Sequence, residues 1–121
     1  MLHVVEDEPI LLQLLEEIIS EAGHPVRCFM TGDSYLDYLN HPTFTPPKAV
    51  ICDVHIPGAD GYKLATILKQ KVPDVPVILT TGKHDDEHIE KVQKIGCHSL
   101  SKPFMPMQIV TLLESLISPS K

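Results

Sequence analysis

Four short apolar runs in this chain each lead into residues that are suited to phosphoryl chemistry. LHVV leads into Glu6 and Asp7, AVIC into Asp53, PVILT into Thr81 and Gly82, and CHSLS into Lys102 and Pro103. If these runs are buried strands of one parallel sheet, their carboxyl ends meet at one edge, where such sheets form their sites. Three carboxylates, one hydroxyl and one ammonium would then share a crevice that holds no histidine–serine pair and no thiolate. This set predicts a magnesium site beside a nucleophilic aspartate.

The elements that position these residues are predicted to be strands and helices in strict alternation. The apolar runs predicted as strands are 2–5, 26–30, 49–52, 75–80 and 97–101. Apolar residues at helical spacing follow each strand: Leu11, Leu14, Leu15, Ile18 and Ala22, then Leu36 and Leu39, then Leu64, Ile67 and Leu68, then Ile89, Val92 and Ile95, and finally Ile109, Leu112, Leu113 and Leu116. Alternation with short connections predicts a doubly wound α/β fold, in which a five-stranded parallel sheet carries helices on both faces and the third strand is the most central.

Residues that start and end helices support this assignment. The candidate starts are Pro9, Thr31 or Asp33, and Asp85 or Asp86, and the candidate ends are Gly23 and Gly96. Proline suits a first turn, a short polar side chain can cap free amides, and glycine tolerates the left-handed residue that follows many helices.

Length and composition predict one soluble domain. The 121 residues include 16 acidic and 10 basic side chains, for a net charge of −6. Arg27 is the only arginine and no basic stripe occurs, so we expect no direct nucleic-acid binding. The apolar runs are far shorter than the roughly 20 residues of a membrane span, and no leader is recognisable, so the expected compartment is the cytoplasm. Cys28, Cys52 and Cys97 lack metal or redox spacing and are predicted to be buried, reduced thiols.

Four motifs in order resemble the receiver domains of two-component response regulators, whose simplest member is the chemotaxis receiver. They are VVEDEP, DVHIPGADGY, ILTTG and SKPF, and the resemblance extends over residues 2–117. It implies a flavodoxin-like (βα)5 fold and a single receiver domain over 1–121, with 118–121 as the candidate start of a linker. It also implies a signalling function, not a metabolic enzyme.

The resemblance assigns an acceptor and a metal site. Asp53 is similar to the aspartate that accepts a phosphoryl group from the phosphohistidine of a sensor histidine kinase or of a histidine phosphotransfer protein. Glu6 and Asp7 resemble the acidic pair that binds Mg2+ together with the acceptor, and Asp7 is the more direct ligand of the two. The backbone carbonyl of His55 occupies the position of a further metal ligand.

The resemblance also assigns the groups that contact the phosphoryl oxygens. The Thr81 hydroxyl is similar to one of these groups and the Lys102 ammonium to another, and the Lys102–Pro103 bond resembles a cis peptide that orients the lysine. Most family members have tyrosine or phenylalanine where this chain has Ser99. That aromatic residue takes part in changing the face formed by the fourth helix, fifth strand and fifth helix, so the output of this chain stays open. The same face would carry any weak dimer contact of an otherwise monomeric domain.

The resemblance also implies residues that modulate the site, which are His55, Gly82, Lys83, Ser99 and Pro103. In the family, the positions of His55 and Lys83 flank the path of the hydrolytic water and help to set how long a phosphoryl group lasts. The side chains of His55 and Lys83 would either contact the phosphoryl group or point into solvent, and the sequence favours neither arrangement.

Two other functions stay open. A receiver-like interaction module that is never phosphorylated would share the fold, although such modules usually lose one of the residues present here. A small magnesium-dependent phosphatase of the haloacid-dehalogenase type also forms an aspartyl phosphate, but its motif needs a second aspartate where this chain has His55.

Two further patterns have plainer interpretations. HDDEH at 84–88 matches the H-x-x-E-H pattern of some zinc peptidases, but no third ligand is evident, so we predict a solvated helix start. Phe104, Met105 and Met107 are predicted to be core residues.

Overall fold

Residues 1–117 are described in a computed structural model, and they form five strands and five helices in strict alternation. The elements are β1 Leu2–Val5, α1 Pro9–Glu21, β2 Val26–Phe29, α2 Gly32–Leu39, β3 Ala49–Asp53, α3 Gly61–Lys71, β4 Val77–Thr81, α4 Asp86–Ile95, β5 His98–Ser101 and α5 Pro106–Leu116. The predicted alternation is confirmed. The candidate linker at 118–121 lies outside the described residues.

The five strands form one parallel sheet in the order β2-β1-β3-β4-β5, so β3 is central, as predicted. All residues of β1, β3 and β4 are buried, which is expected for parallel strands covered on both faces. The register pairs Val5 with Cys52 and Thr81 with Ser101, so the carboxyl ends of four neighbouring strands are level. This arrangement confirms the flavodoxin-like doubly wound fold.

Alternate residues of the strands face two separate apolar cores. Ala49 and Ile51 of β3 pack with α1 and α5 on one face, and Val50 and Cys52 pack with α2, α3 and α4 on the other. The sheet therefore has two helices on one side and three on the other.

Several residues that the sequence predicts at helix ends form the expected structures there. The Thr31 side chain accepts a hydrogen bond from the Ser34 amide at the start of α2, and the Asp85 side chain accepts one from the His88 amide at the start of α4. Gly96 ends α4 with a φ of 84°, in the left-handed region that glycine tolerates best.

The buried face of α1 differs from the predicted one. Leu12, Leu15 and Ile19 are buried, whereas Leu14 is 41% exposed and Ala22 is exposed. Because residues 10–12, 14 and 15 are all aliphatic, several helical stripes fit this segment almost equally well. Only the packing against the sheet selects one of them.

The predicted strand bounds were wrong by one or two residues at four strands. β2 ends at Phe29, β3 extends to Asp53, β4 runs from Val77 to Thr81, and β5 begins at His98. The amides of Val75 and Cys97 bond backward to the carbonyl oxygen of Val72 or of Val92, so these two residues complete the preceding turn before the strand begins.

Two predictions of burial were partly wrong. Met105 and Met107 are each 67% exposed, because α5 turns Ile109 and Leu113 toward the sheet instead. The three cysteines, all within the described residues, are free thiols; Cys52 is buried, and Cys28 and Cys97 are half-buried. Burial raises the pKa of each half-buried thiol to about 11. Within residues 1–117, no helix is both long enough and apolar enough to span a bilayer.

Candidate functional site

Three carboxylates lie together at the carboxyl edge of the sheet. Glu6 follows β1 directly, Asp7 is next to it, and Asp53 is the last residue of β3. Glu6 is 1% exposed and Asp53 is 6% exposed, while Asp7 is half-buried. One carboxylate oxygen from each of the three residues lies within 4.8 Å of the other two. The pairing of β1 with β3 in register therefore brings together residues that are 46 or 47 positions apart.

Lys102 joins two of these carboxylates. Its Nζ lies 3.1 Å from Glu6 Oε1 and 3.1 Å from Asp53 Oδ2, and its side chain is 19% exposed. The Lys102 amide donates to the carbonyl oxygen of Thr81 at 2.8 Å, and the Lys102–Pro103 peptide is cis. The ends of β1 and β3 thus meet at the Lys102 ammonium, and the end of β4 bonds to the backbone amide of the same residue.

Backbone amides donate hydrogen bonds to the remaining oxygens of the two buried carboxylates. The His55 amide donates to Asp53 Oδ1 at 3.3 Å, and the Glu8 amide donates to Glu6 Oε2 at 3.1 Å. The first residue of α3, Gly61, lets that helix approach this turn closely. A Cβ at Gly61 would lie 2.6 Å from the Asp53 carbonyl oxygen, a distance that side chains do not tolerate.

The burial of the site changes the protonation of its groups. Burial, reinforced by the charge of Asp53, raises the pKa of the Glu6 carboxyl above its ordinary value. Burial by itself would lower the pKa of Lys102, but its bonds to Glu6 and Asp53 outweigh that effect, and the pKa is raised. Lys102 is therefore a permanent cation at neutral pH. It opposes three carboxylic side chains.

Such an arrangement of groups can bind a divalent cation and an anionic group side by side. The oxygen ligands suit a hard divalent cation, and the ammonium suits an anionic group that approaches Asp53. A groove of about 770 Å³ opens beside the site, and its lining includes Asp7 and Lys102 together with the apolar side chains of Ile10, Leu14 and Phe104.

Thr81 is buried at the end of β4, whereas the residues that follow it are exposed. Thr81 is fully buried at the end of β4, and its Oγ1 accepts a hydrogen bond from the Lys83 amide at 3.0 Å. Gly82 is exposed. The Lys83 side chain is 76% exposed and lies 3.9 Å from Asp85, and His55 is also exposed. Whether His55 and Lys83 contact a phosphoryl group on Asp53 stays a prediction.

Ser99 lies away from the acidic cluster but contacts a residue that the sequence analysis misjudged. His88, predicted to belong to a solvated helix start, is 1% exposed. Its Nε2 lies 2.6 Å from Ser99 Oγ and its Nδ1 lies 2.6 Å from the Tyr62 hydroxyl. Both ring nitrogens are thus occupied, and the H-x-x-E-H pattern supplies no zinc ligand at this position.

Asp33 is another residue whose role the sequence did not reveal. Its carboxylate accepts a hydrogen bond from the Ala59 amide at 3.1 Å and so ties α2 to the turn that follows Asp53. The contact joins positions 26 residues apart, and no local pattern signals it.

A comparison with protein families matches residues 2–114 to the response regulator receiver domain. Among curated relatives, the transcriptional regulatory protein CssR of Bacillus subtilis is 32% identical, over 96% of this chain and 50% of the relative. The DNA-binding transcriptional regulator NtrC of Klebsiella pneumoniae is 32% identical, over 95% of this chain and 24% of the relative. The chain thus spans half or less of the length of these relatives.

The comparison with solved structures also finds receiver domains. The BeF3-activated receiver domain of DrrB superimposes with a TM-score of 0.87 at 27% identity, covering 98% of this chain and 97% of that one. The signal receiver domain of a signal transduction histidine kinase from Syntrophus aciditrophicus gives a TM-score of 0.85 at 28% identity, covering 97% and 89%. Because the family model matches residues 2–114, nearly the whole chain, this chain belongs to the response regulator receiver domain family.

Proposed function

We propose that this chain is a phosphoacceptor domain of a two-component system, with Asp53 as the residue that is phosphorylated. The observation that carries the proposal is the cluster at the ends of β1, β3 and β5. A buried Asp53 lies between two other carboxylates and one lysine, whose Nζ is 3.1 Å from it. A signalling phosphoacceptor catalyses only its own phosphorylation and dephosphorylation and is not a metabolic enzyme.

The residues present fit Mg2+. Carboxylate oxygens of the three residues lie within 4.8 Å of one another. At that distance two like charges repel by about 3.5 kcal/mol at an effective dielectric constant near 20. Lys102 offsets one of the three carboxylates, which leaves an excess that a divalent cation would neutralise. Glu6, Asp7, Asp53 and the carbonyl oxygen of His55 would hold the ion, all through oxygen, as Mg2+ prefers. When bound, the ion would withdraw charge from the phosphoryl oxygens during transfer.

The residues of the chain supply the rest of the chemistry. An Asp53 carboxylate oxygen attacks the phosphorus atom in line with the bond to the donor imidazole nitrogen. The new P–O bond forms as the P–N bond breaks, and the electron pair returns to the imidazole. Lys102 moves from the carboxylates to a phosphoryl oxygen, and the Thr81 hydroxyl donates to another. Positioning and charge compensation thus replace acid–base catalysis.

The donor in this proposal is a sensor histidine kinase or a histidine phosphotransfer protein. The groove beside Asp7 and Lys102 supports a protein donor, because its wall includes Ile10, which is 85% exposed. The proposal includes a cytoplasmic domain that is a monomer or a weak dimer, with residues 1–121 as a single receiver unit. The added charge would change the face formed by α4, β5 and α5, and a downstream domain or partner would bind the changed face. The proposal includes no direct nucleic-acid binding by this chain.

Two alternatives are less well supported. A module that is never phosphorylated has no need of a buried Asp53 with a bridging Lys102. A phosphatase of the haloacid-dehalogenase type would need an acid near Asp53 for its leaving group. The residue at that position, His55, is exposed and contacts Asp53 through its backbone amide.

Intact mass after incubation with acetyl phosphate tests the proposal. We expect one phosphoryl adduct on the wild type in Mg2+, no adduct in EDTA, and no adduct on Asp53→Asn in either buffer. Asp33→Asn is the matched control, because Asp33 contacts the Ala59 amide and lies outside the acidic cluster. A wild type that binds Mg2+ and gains no adduct would favour the interaction module.

A further inference from the structure

Helix α4 is attached to the domain through a polar side chain. Among the residues of α4, all of which the structure describes, His88 alone is buried. Ile89 is 38% exposed, and Val92 and Ile95 are only half-buried. Each of the other helices buries at least two side chains or glycines against the sheet, most of them apolar. Hydrogen bonds therefore contribute more to the placement of α4 than to that of its neighbours.

His88 makes these bonds to two different elements. Its Nδ1 lies 2.6 Å from the hydroxyl of Tyr62 on α3, and its Nε2 lies 2.6 Å from Oγ of Ser99 on β5. We call these three residues the histidine bridge. Burial, followed by the charge of His84, lowers the pKa of His88, so the imidazole is neutral at neutral pH. One ring nitrogen then donates and the other accepts, and a hydroxyl can serve either role.

The histidine bridge is connected to the acidic site through β4 and β5. Ser99 pairs with Leu79, and two residues further along the same strands Ser101 pairs with Thr81. The next residue, Lys102, donates its amide to the Thr81 carbonyl oxygen at 2.8 Å and its ammonium to Asp53. The four-residue strand β5 therefore connects Ser99 directly to Lys102 and, through its pairing with β4, to Thr81.

We propose that His88 is a positioning residue of the switch: the histidine bridge holds α4 in the arrangement that accompanies an unmodified Asp53 and opens when Asp53 is modified. This inference rests on the phosphoacceptor function proposed above. A hydrogen bond between neutral groups contributes little net stability, because water replaces it when it breaks. The bridge can therefore open without exposing a fully buried leucine or isoleucine of α4. A helix attached by such anchors would be far more costly to displace.

Beryllofluoride binding in Mg2+ tests the coupling, followed by fluorine NMR of the bound fluoride. Ser99→Ala removes one hydroxyl of the bridge and Tyr62→Phe removes the other, and neither residue belongs to the acidic cluster. Because the bridge favours the unmodified arrangement, each variant should bind beryllofluoride about five-fold more tightly than the wild type. Amides of residues 86–95 should also exchange hydrogen faster. Ser115→Ala is the matched control, since Ser115 is exposed and its Oγ bonds only to the Leu112 carbonyl oxygen.

The outcomes separate the coupling from the phosphoacceptor function. Equal affinities for the wild type, Ser99→Ala and Tyr62→Phe would overturn the coupling and leave Asp53 as the acceptor. A wild type that binds no beryllofluoride would overturn both proposals. Tighter binding by Ser115→Ala to the same extent would also overturn the coupling, because the effect would then belong to any loss of a serine hydroxyl.

Discussion

Acid should destabilise this domain through one buried histidine on β1. His3 is 1% exposed and lies in an aromatic cluster with Phe29, Tyr35, Tyr38 and Phe44, whose ring centroids are 5.4 to 6.4 Å from its own. Its Nδ1 lies 3.0 Å from the Tyr35 hydroxyl. Burial, then the charges of Arg27 and of the chain's amino terminus, lowers the pKa of His3 to about 4. A histidine that is neutral when folded therefore resists the proton that the unfolded chain accepts.

The sign and size of the effect follow from this pKa. The unfolded chain binds the proton with a pKa of about 6.5. The stability that the neutral His3 provides is complete above that pH and declines as the pH falls from 6.5 toward about 4. Between pH 7.5 and pH 5 the free energy of unfolding should fall by about 2 kcal/mol from this residue alone. In a domain of this size that is a decrease in Tm of roughly 8 °C.

Urea unfolding at pH 7.5, 6.5, 5.5 and 5 measures the effect. His3→Gln keeps a polar partner for the Tyr35 hydroxyl but cannot be protonated, so it should lose about 2 kcal/mol less than the wild type over this range. His98→Gln, at an exposed position of β5, should keep the wild-type dependence. Other groups titrate in both proteins of each pair and cancel in the difference. If His3→Gln and the wild type lose the same stability, His3 is not the neutral buried base that its surroundings imply.

Three other predictions concern packing and charge, and urea unfolding measures each. Leu15→Ala should cost about 3 kcal/mol because Leu15 is buried, whereas Leu14→Ala should cost about 0.5 kcal/mol because Leu14 is 41% exposed. Gly61→Ala should cost about 2 kcal/mol, because the new Cβ would lie 2.6 Å from a backbone oxygen at the end of β3, while Gly82→Ala, with no atom within 4 Å, should be nearly neutral. Lys102→Met should cost about 3 kcal/mol in EDTA, because buried carboxylates lose their cation, and should recover part of that loss in Mg2+.

Each of these predictions has a result that would contradict it. Equal losses for the two leucine variants would refute the buried face assigned to α1. A Gly61→Ala domain as stable as Gly82→Ala would show that α3 can move away from β3 at little cost. A Lys102→Met domain that is unaffected in EDTA, or that gains nothing from Mg2+, would contradict the charge imbalance of the acidic site.

Local patterns were sufficient for the fold and for the location of the candidate site. Four apolar runs that end in polar residues predict that Glu6, Asp53 and Lys102 lie at the same edge of a sheet, and the structure places Lys102 Nζ 3.1 Å from both carboxylates. The alternation of elements fixes this result, because parallel strands bring their carboxyl ends together whatever the details of the helices. The roles of Thr81 and Gly82 in phosphoryl transfer stay predictions.

Contacts between distant polar residues were beyond reach of the same patterns. His88 lies among charged residues in the sequence, which favours exposure. Its bonds to Tyr62, 26 positions away, and to Ser99, 11 positions away, have no signal in the local pattern. The prediction of the buried face of α1 was wrong for a different reason. The first two turns of this helix contain more aliphatic residues than one face can bury. Periodicity identifies a helix reliably, but it does not select among faces of similar hydrophobicity.

The tyrosines of the domain provide optical signals that need no label. The chain has no tryptophan and three tyrosines. Tyr35 and Tyr38 belong to α2 and pack in the aromatic cluster with Phe29 and Phe44, whereas Tyr62 is the tyrosine that contacts His88. Near-ultraviolet circular dichroism of Tyr62→Phe, subtracted from that of the wild type, therefore isolates the ring next to α4, while the remaining spectrum follows the core beneath α2. A comparison of these two unlabelled proteins would therefore distinguish a ligand-induced rearrangement near α4 from global unfolding.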